Sequence, residues 1–120
     1  MTLQQAMLVG AGGFLGAVAR WGVAGKWGAP PWDILVINFL GSLLIGVVLA
    51  WPEAPGRDGF RQFIAAGFCG SFTTFSTFSW QTVDLLKDGR FLSAGLNIAL
   101  SVVLCILGVC IGIVLAQRIA

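Results

Sequence analysis

Gly67-Phe-Cys-Gly-Ser-Phe-Thr-Thr-Phe-Ser-Thr-Phe-Ser-Trp-Gln81 is the stretch on which the reading of the chain turns. Its fifteen residues carry six Ser/Thr hydroxyls and three phenylalanines at three-residue spacing, Phe72, Phe75 and Phe78, with Gly70 just ahead. No charged residue lies between Ile64 and Thr82. The stretch is too polar for lipid-facing filler and too uncharged for a soluble loop. It reads as backbone that lines a path or packs against partners inside a bilayer.

The flanking composition agrees. Apolar residues make up 58% of the 120 residues and charged residues 10%, against about 25% in a soluble chain. That predicts one membrane domain over residues 1–120 with little mass outside the lipid. A net charge of +2 without any basic cluster argues against nucleic acid. Histidine is absent, and Cys69, Cys105 and Cys110 all sit in apolar segments, so neither a metal cluster nor a disulfide framework is suggested. An enzyme is not expected. The first apolar segment is read as a span and not a signal peptide, because Met1 to Gln5 lacks Lys and Arg.

Hydropathy and turn signals predict an all-α fold of four transmembrane helices, over about residues 3–23, 33–51, 60–86 and 91–116. Gly12 and Gly16 leave one side of the first span bare for close approach of another backbone, and Arg20 lies about one turn beyond. Arg20 is either a side chain reaching for headgroups or a source of positive potential at the mouth of an anion path. Asn38, Gly41, Ser42 and Gly46 share a stripe of the second span. An asparagine there is either glue between helices or an amide N–H for a passing anion. Asn97, Ser101, Cys105, Gly108 and Gly112 form a stripe on the fourth, predicted to pack at its small end and to line something wet at its polar end.

In the third span the hydroxyls of Thr73, Thr74, Ser76, Thr77 and Ser79 would point all round a regular helix. Either they bond back to their own helix carbonyls or the helix breaks near Gly70 to Thr74 and frees backbone carbonyls, which in membrane proteins bind cations. Phe75 and Phe78 stand one turn apart. They pack against lipid or protein, or they turn their positive ring edges toward a small anion.

With four spans, Arg57, Arg61 and Arg118 lie on one side of the membrane and Lys26, Lys87 and Arg90 on the other. The positive-inside rule then has almost no preference: either the chain inserts both ways, so that two copies could pair as an antiparallel dimer, or other factors fix one orientation.

The runs Gly12-Gly13-Phe-Leu-Gly16-Ala-Val-Ala-Arg20, Asn38-Phe-Leu-Gly41-Ser42 and Gly67 to Ser79 resemble the CrcB/Fluc family of fluoride channels over essentially the whole chain. The resemblance implies a dual-topology homodimer of four-helix subunits in the cell (inner) membrane, with two fluoride pores that relieve the cytoplasm of fluoride. Asn38 matches the pore asparagine, and Phe75 and Phe78 match the phenylalanines whose edges face the anion. Thr74, Ser76 and Thr77 match hydroxyls of the third-helix track, Ser101 the fourth-helix serine, and Arg20 the vestibule arginine. Gly70 and Thr73 match residues whose carbonyls hold a structural sodium ion at the dimer interface. The sequence departs from the family pattern at Gln81, where a glutamate is frequent, at Cys105, where a serine often lies, and at Asp33-Ile34, where Gly-Thr is common. A proton-coupled multidrug transporter would need a carboxylate within the membrane, and the acids sit at or beyond span ends. An assembly subunit would leave the hydroxyls and rings of the third segment unexplained.

Overall fold

The computed structural model describes all of Met1–Ala120. Helix α1, Leu3–Val23, begins at a capping box: Thr2 Oγ1 accepts the Gln5 N–H at 3.2 Å while Gln5 Oε1 accepts the Thr2 N–H at 2.8 Å. Helix α2, Trp32–Ala50, follows Pro31 and stops one residue short of Trp51-Pro52. The third apolar stretch is wound in three pieces that together form α3: an α-helical turn at Asp58–Arg61, a π-helix at Gln62–Cys69 and a last α-turn at Gly70–Phe72. Thr73 and Thr74 are extended, with ψ values of 156° and 116°. Helix α4, Phe75–Lys87, then restarts, and after Gly89 at φ 72° helix α5 runs from Phe91 to Ile119.

The fold is all helix. The first span falls where hydropathy puts it, the second begins one residue earlier, and the last extends to Ile119. Helices α1, α2 and α5 are each long and apolar enough to cross a membrane. The stretch read as a third span is two shorter helices flanking the Thr73-Thr74 break.

Glycine sets how closely these helices approach. A Cβ added at Gly12 would overlap the Phe63 carbonyl oxygen, and one at Gly16 the Phe68 carbonyl. Phe63 and Phe68 are five residues apart, the hydrogen-bond step of a π-turn, while Gly12 and Gly16 are four apart, the step of an α-helix. The wider winding of α3 therefore brings two carbonyls to bear on the bare face of α1. On the other side of the molecule, Gly46 of α2 faces the Val109 backbone, and Gly112 of α5 faces the Leu43 carbonyl. The small end of the α5 stripe thus packs on a neighbour as expected.

Ile34, Ile37 and Phe72 form a small core, with Ala19, Val23, Phe68 and Phe78 packed around it. Only 23 of 120 residues are buried, and large apolar side chains such as Phe14, Trp21, Val103 and Ile106 cover the outside. Such a surface suits lipid or a protein partner, since hydrocarbon imposes no penalty on it.

Candidate functional site

The break is made by local competition for the backbone. Asn38 reaches across from α2 and its Oδ1 accepts the Thr74 N–H at 2.8 Å, while its Nδ2 donates to the Thr74 carbonyl at 3.1 Å. One side-chain amide thereby replaces both helical partners of a residue in extended conformation. Asn38 itself is steadied by the Ser42 hydroxyl, which bonds its carbonyl at 2.7 Å. The amide thus serves mainly as glue at the break, and one Nδ2 hydrogen is left over for anything else.

The consequence lies one turn earlier. In a continuous helix the Thr74 N–H would satisfy the Gly70 carbonyl, and the Thr77 N–H would satisfy that of Thr73. Here the first goes to Asn38, and the second to Thr74 Oγ1 at 3.2 Å as the N-cap of α4. Both carbonyls are released from helical bonding. They are the two that sequence reading singled out, although Gly70 is exposed and Thr73 partly so. Ser71 is different: its carbonyl accepts the Arg20 Nε at 3.0 Å. Arg20 therefore stands over the C-terminal end of α3, where a cation complements the helix dipole.

The hydroxyls divide into two populations. Thr73, Ser79 and Thr82 bond to the carbonyls of Cys69, Phe75 and Phe78, four residues back, at 2.8–2.9 Å. They follow the ordinary reading for membrane helices. Thr74, Ser76 and Thr77 converge instead at the start of α4, with Thr74 Oγ1 at 3.1 Å from Ser76 Oγ and 3.2 Å from Thr77 Oγ1. A chain of bonds from α5 meets the same helix lower down: Ser101 Oγ to Asn97 Oδ1 at 3.4 Å, and Asn97 Nδ2 to Thr82 Oγ1 at 2.9 Å. Asn97 is 1% exposed. The polar end of the α5 stripe is therefore closed off at Asn97, and the stripe borders the cleft at the buried Ser101 and the half-buried Cys105.

These groups border an open-sided cleft of about 480 Å³ that Asn38, Thr74, Phe75, Phe78, Ser101 and Cys105 help to line, with Gly70 and Thr73 on its wall. No charged side chain lines it. Phe75 and Phe78 lie with ring centroids 5.2 Å apart and planes tilted by 46°, and Phe75 is 79% exposed toward the open side. Of the residues singled out from sequence, Ser76, Thr77 and Arg20 do not line the cleft. The first two join its Thr74 edge by hydrogen bonds, and Arg20 braces the break from α1. Cys69, Ile45 and Gly41 also line it without having been read as site residues; Gly41, on the stripe of Asn38, lets Thr73 seat against α2. The shared stripe of Asn38, Gly41 and Ser42 was the sequence signal for Gly41; Cys69 and Ile45 carried none.

An all-helical, apolar chain with an uncharged polar cleft at a broken helix defines the class: a helical membrane protein whose helix break faces a cavity. The CrcB-like protein, Camphor Resistance (CrcB) family model matches residues 7–113. The chain is 44% identical over 117 residues to a protein of Methylocella silvestris named Fluoride-specific ion channel FluC, covering 90% of this chain and 89% of that one. It is 40% identical over 122 residues to a protein of the same name from Methanocaldococcus jannaschii, with 98% of each chain covered. A Paramagnetospirillum magneticum relative, named likewise, is 47% identical over 93 residues, 74% of this chain and 73% of the relative. The chain belongs to the CrcB family. Its relatives bear the names of channels and not of enzymes, in accord with the reading of the sequence.

Proposed function

We propose that the protein is a fluoride-selective channel that lets fluoride leave the cytoplasm through the cell's inner membrane and so limits its toxicity. The observation that carries this reading is the uncharged cleft at the helix break, where a leftover amide hydrogen of Asn38, hydroxyls, and the rings of Phe75 and Phe78 meet. Fluoride is small and strongly hydrated. A path for it must replace water with donors yet hold it weakly enough to release it, and neutral donors with ring edges meet both demands better than a fixed ring of cations. Asn38, Thr74, Phe75, Phe78 and Ser101 would form the anion path, Ser76 and Thr77 would extend it by hydroxyl exchange, and Arg20 would raise the potential near its end. The relatives named as fluoride-specific channels support the choice of anion.

In this reading α3 and α4 together cross the bilayer as one broken span, giving four spans in a single membrane domain. The cleft is open on one side, and the exposed Phe75 needs a cover. An inverted second copy would supply it, making a dual-topology homodimer with two pores. The balanced charges on the two sides of the chain favour such a pairing. The carbonyls of Gly70 and Thr73, deprived of helical donors, fit the requirement for a sodium ion at the interface. When bound there, sodium supplies fixed positive potential beside the break. The cation and its geometry are otherwise left to the carbonyls themselves: they offer oxygen alone, the ligand that sodium takes.

Purified protein in liposomes loaded with fluoride or with chloride provides the test. Fast release of fluoride with negligible release of chloride under the same gradient is expected, read with ion-selective electrodes. Equal release of both ions, or none from a folded protein, overturns the reading. Phe78→Ile should reduce fluoride release while the protein remains dimeric on a sizing column.

A further inference from the structure

The corner that joins α2 to α3 carries four charged side chains that the fluoride path does not use: Glu53, Arg57, Asp58 and Arg61. Two of them are settled within the chain. Arg61 pairs with Glu53 through Nη1, and its Nη2 donates to the Leu49 carbonyl at 2.9 Å, at the C-terminal end of α2 where a cation complements the helix dipole. That ion pair is the only one in the molecule, so Arg57 and Asp58, although consecutive, pair neither with each other nor with any other charge.

Arg57 is nevertheless held in place. Its guanidinium carbon lies 5.8 Å from the Trp51 ring centroid and 5.8 Å from that of Phe60, within cation–π range of both, and its Nη1 donates to the Pro52 carbonyl at 2.7 Å. This contact uses one of its five N–H donors. The Arg57 side chain is half-buried, whereas Phe60 is 52% exposed and Asp58, in the first turn of α3, is exposed. The position of the corner decides what can meet these groups. Helix α2 is long and apolar enough to cross a membrane and ends at Ala50, so Trp51 and Arg57 stand where hydrocarbon gives way to headgroups. Phosphate is the acceptor at that depth, and a planar guanidinium stacked on aromatic rings matches it with paired N–H groups.

We propose that this corner binds one phospholipid of the phosphatidylethanolamine type: Arg57 takes the phosphodiester, Asp58 the primary ammonium beside it, and Trp51 and Phe60 the start of the apolar chains. The charge order selects the headgroup. A purely anionic headgroup would bring its negative charge against Asp58, while a phosphate followed by an ammonium mirrors the unpaired Arg57 and Asp58. A trimethylated ammonium keeps the charge but has no N–H to donate to the carboxylate. The site requires that the chain span a membrane and is independent of what the cleft conducts.

The test titrates delipidated protein in detergent with phosphatidylethanolamine, phosphatidylcholine or phosphatidylglycerol of identical chains, and with free phosphoethanolamine. The readout is the concentration that gives half the maximal rise in unfolding temperature, since a ligand of the folded state raises it. Phosphatidylethanolamine should act at about threefold lower concentration than the other two lipids, the scale of one exposed ion pair. Free phosphoethanolamine should give no rise at the same concentrations, because the rings then have nothing to hold. Arg57→Gln should raise the half-point for all three lipids by about tenfold, the scale of a charge-assisted hydrogen bond. Asp58→Asn should leave phosphatidylcholine as it was and remove the advantage of phosphatidylethanolamine. Arg118→Gln, in the last turn of α5, should titrate as the parent does. Three lipids that act equally on the parent overturn the proposal, as does an Arg57→Gln protein that titrates like the parent. Free phosphoethanolamine that matches the lipid would make the ligand a soluble phosphate ester, and the lipid site falls. If Arg57→Gln yields no folded protein, the exposed Asp58→Asn carries the decision: a preference for phosphatidylethanolamine that survives it counts equally against the site.

Discussion

The two halves of the broken segment are held by different physics. Helix α3 sits on α1 chiefly through backbone contacts at Gly12, Gly16 and Gly67, with the Arg20–Ser71 bond added at its end. Helix α4 is held by side-chain hydrogen bonds, from Asn38 and Asp33 on α2 and from Asn97 on α5. Close backbone packing in a membrane derives its strength from dispersion over a rigid fit. Hydrogen bonds at a cleft wall can exchange partners with whatever enters. The first half is therefore a scaffold and the second a surface on which polar ligands compete, and the Thr73-Thr74 break is the border between them.

The strongest way to break this comparison is to disturb the scaffold. A Val at position 16 would drive its side chain into the Phe68 carbonyl and the Phe72 backbone, neither of which can rotate aside. Gly16→Val should cost about 3 kcal/mol or more, the upper range for overpacking, and yield little monodisperse protein. A variant that folded with parental stability would show that α3 slides easily on α1, and the scaffold reading would fail.

Next comes the clamp at the border. Asn38→Asp keeps an acceptor for the Thr74 N–H but turns the donor into a second acceptor facing the Thr74 carbonyl. Leaving that carbonyl unsatisfied should cost about 1–3 kcal/mol in chemical denaturation. Fluoride release should fall further than stability does, because the negative charge faces the cleft. Thr82→Val is milder. It removes the acceptor of Asn97 Nδ2 and so loosens α4 from α5, at a cost near 0.6 kcal/mol, the average for polar contacts between membrane helices. Parallel loss of stability in both variants would mean that the two sides of α4 are equally tight.

Much of this was legible in the sequence, for reasons that differ by residue. The ends of α1 and α2 follow from hydropathy, a capping box and proline. The break near Gly70 to Thr74 was legible as a conflict, since six hydroxyls cannot all be satisfied on one face, while the choice of Gly70 and Thr73 came from the family resemblance. What remained hidden depends on pairing across space. The π-winding of α3 has no marker in local composition; it is set by the fit of Phe63 and Phe68 to two glycines more than forty residues earlier. Asp33 and Gln81 were visible only as separate departures from a family pattern. Their contact makes them one feature, and no periodicity links an aspartate in one helix to a glutamine in another.

The smallest expected effect separates the two populations of hydroxyl. Ser79 lies on the same helix as Thr74 and Thr77 and two residues before Gln81, yet its Oγ bonds the Phe75 carbonyl at 2.9 Å. That carbonyl is four residues back and already placed to accept the helical N–H of its own ladder, so the hydroxyl adds a third center without supporting any other element. Ser79→Ala should change stability by less than about 0.5 kcal/mol, as for a substitution that removes no unique partner. Fluoride release should likewise stay within about twofold of the parent, since the methyl retains the helix and no cleft group loses a bond. A large loss of release at unchanged stability would place Ser79 among the groups that exchange partners with the anion, and the line between self-satisfied and convergent hydroxyls would have to be drawn one turn further along α4.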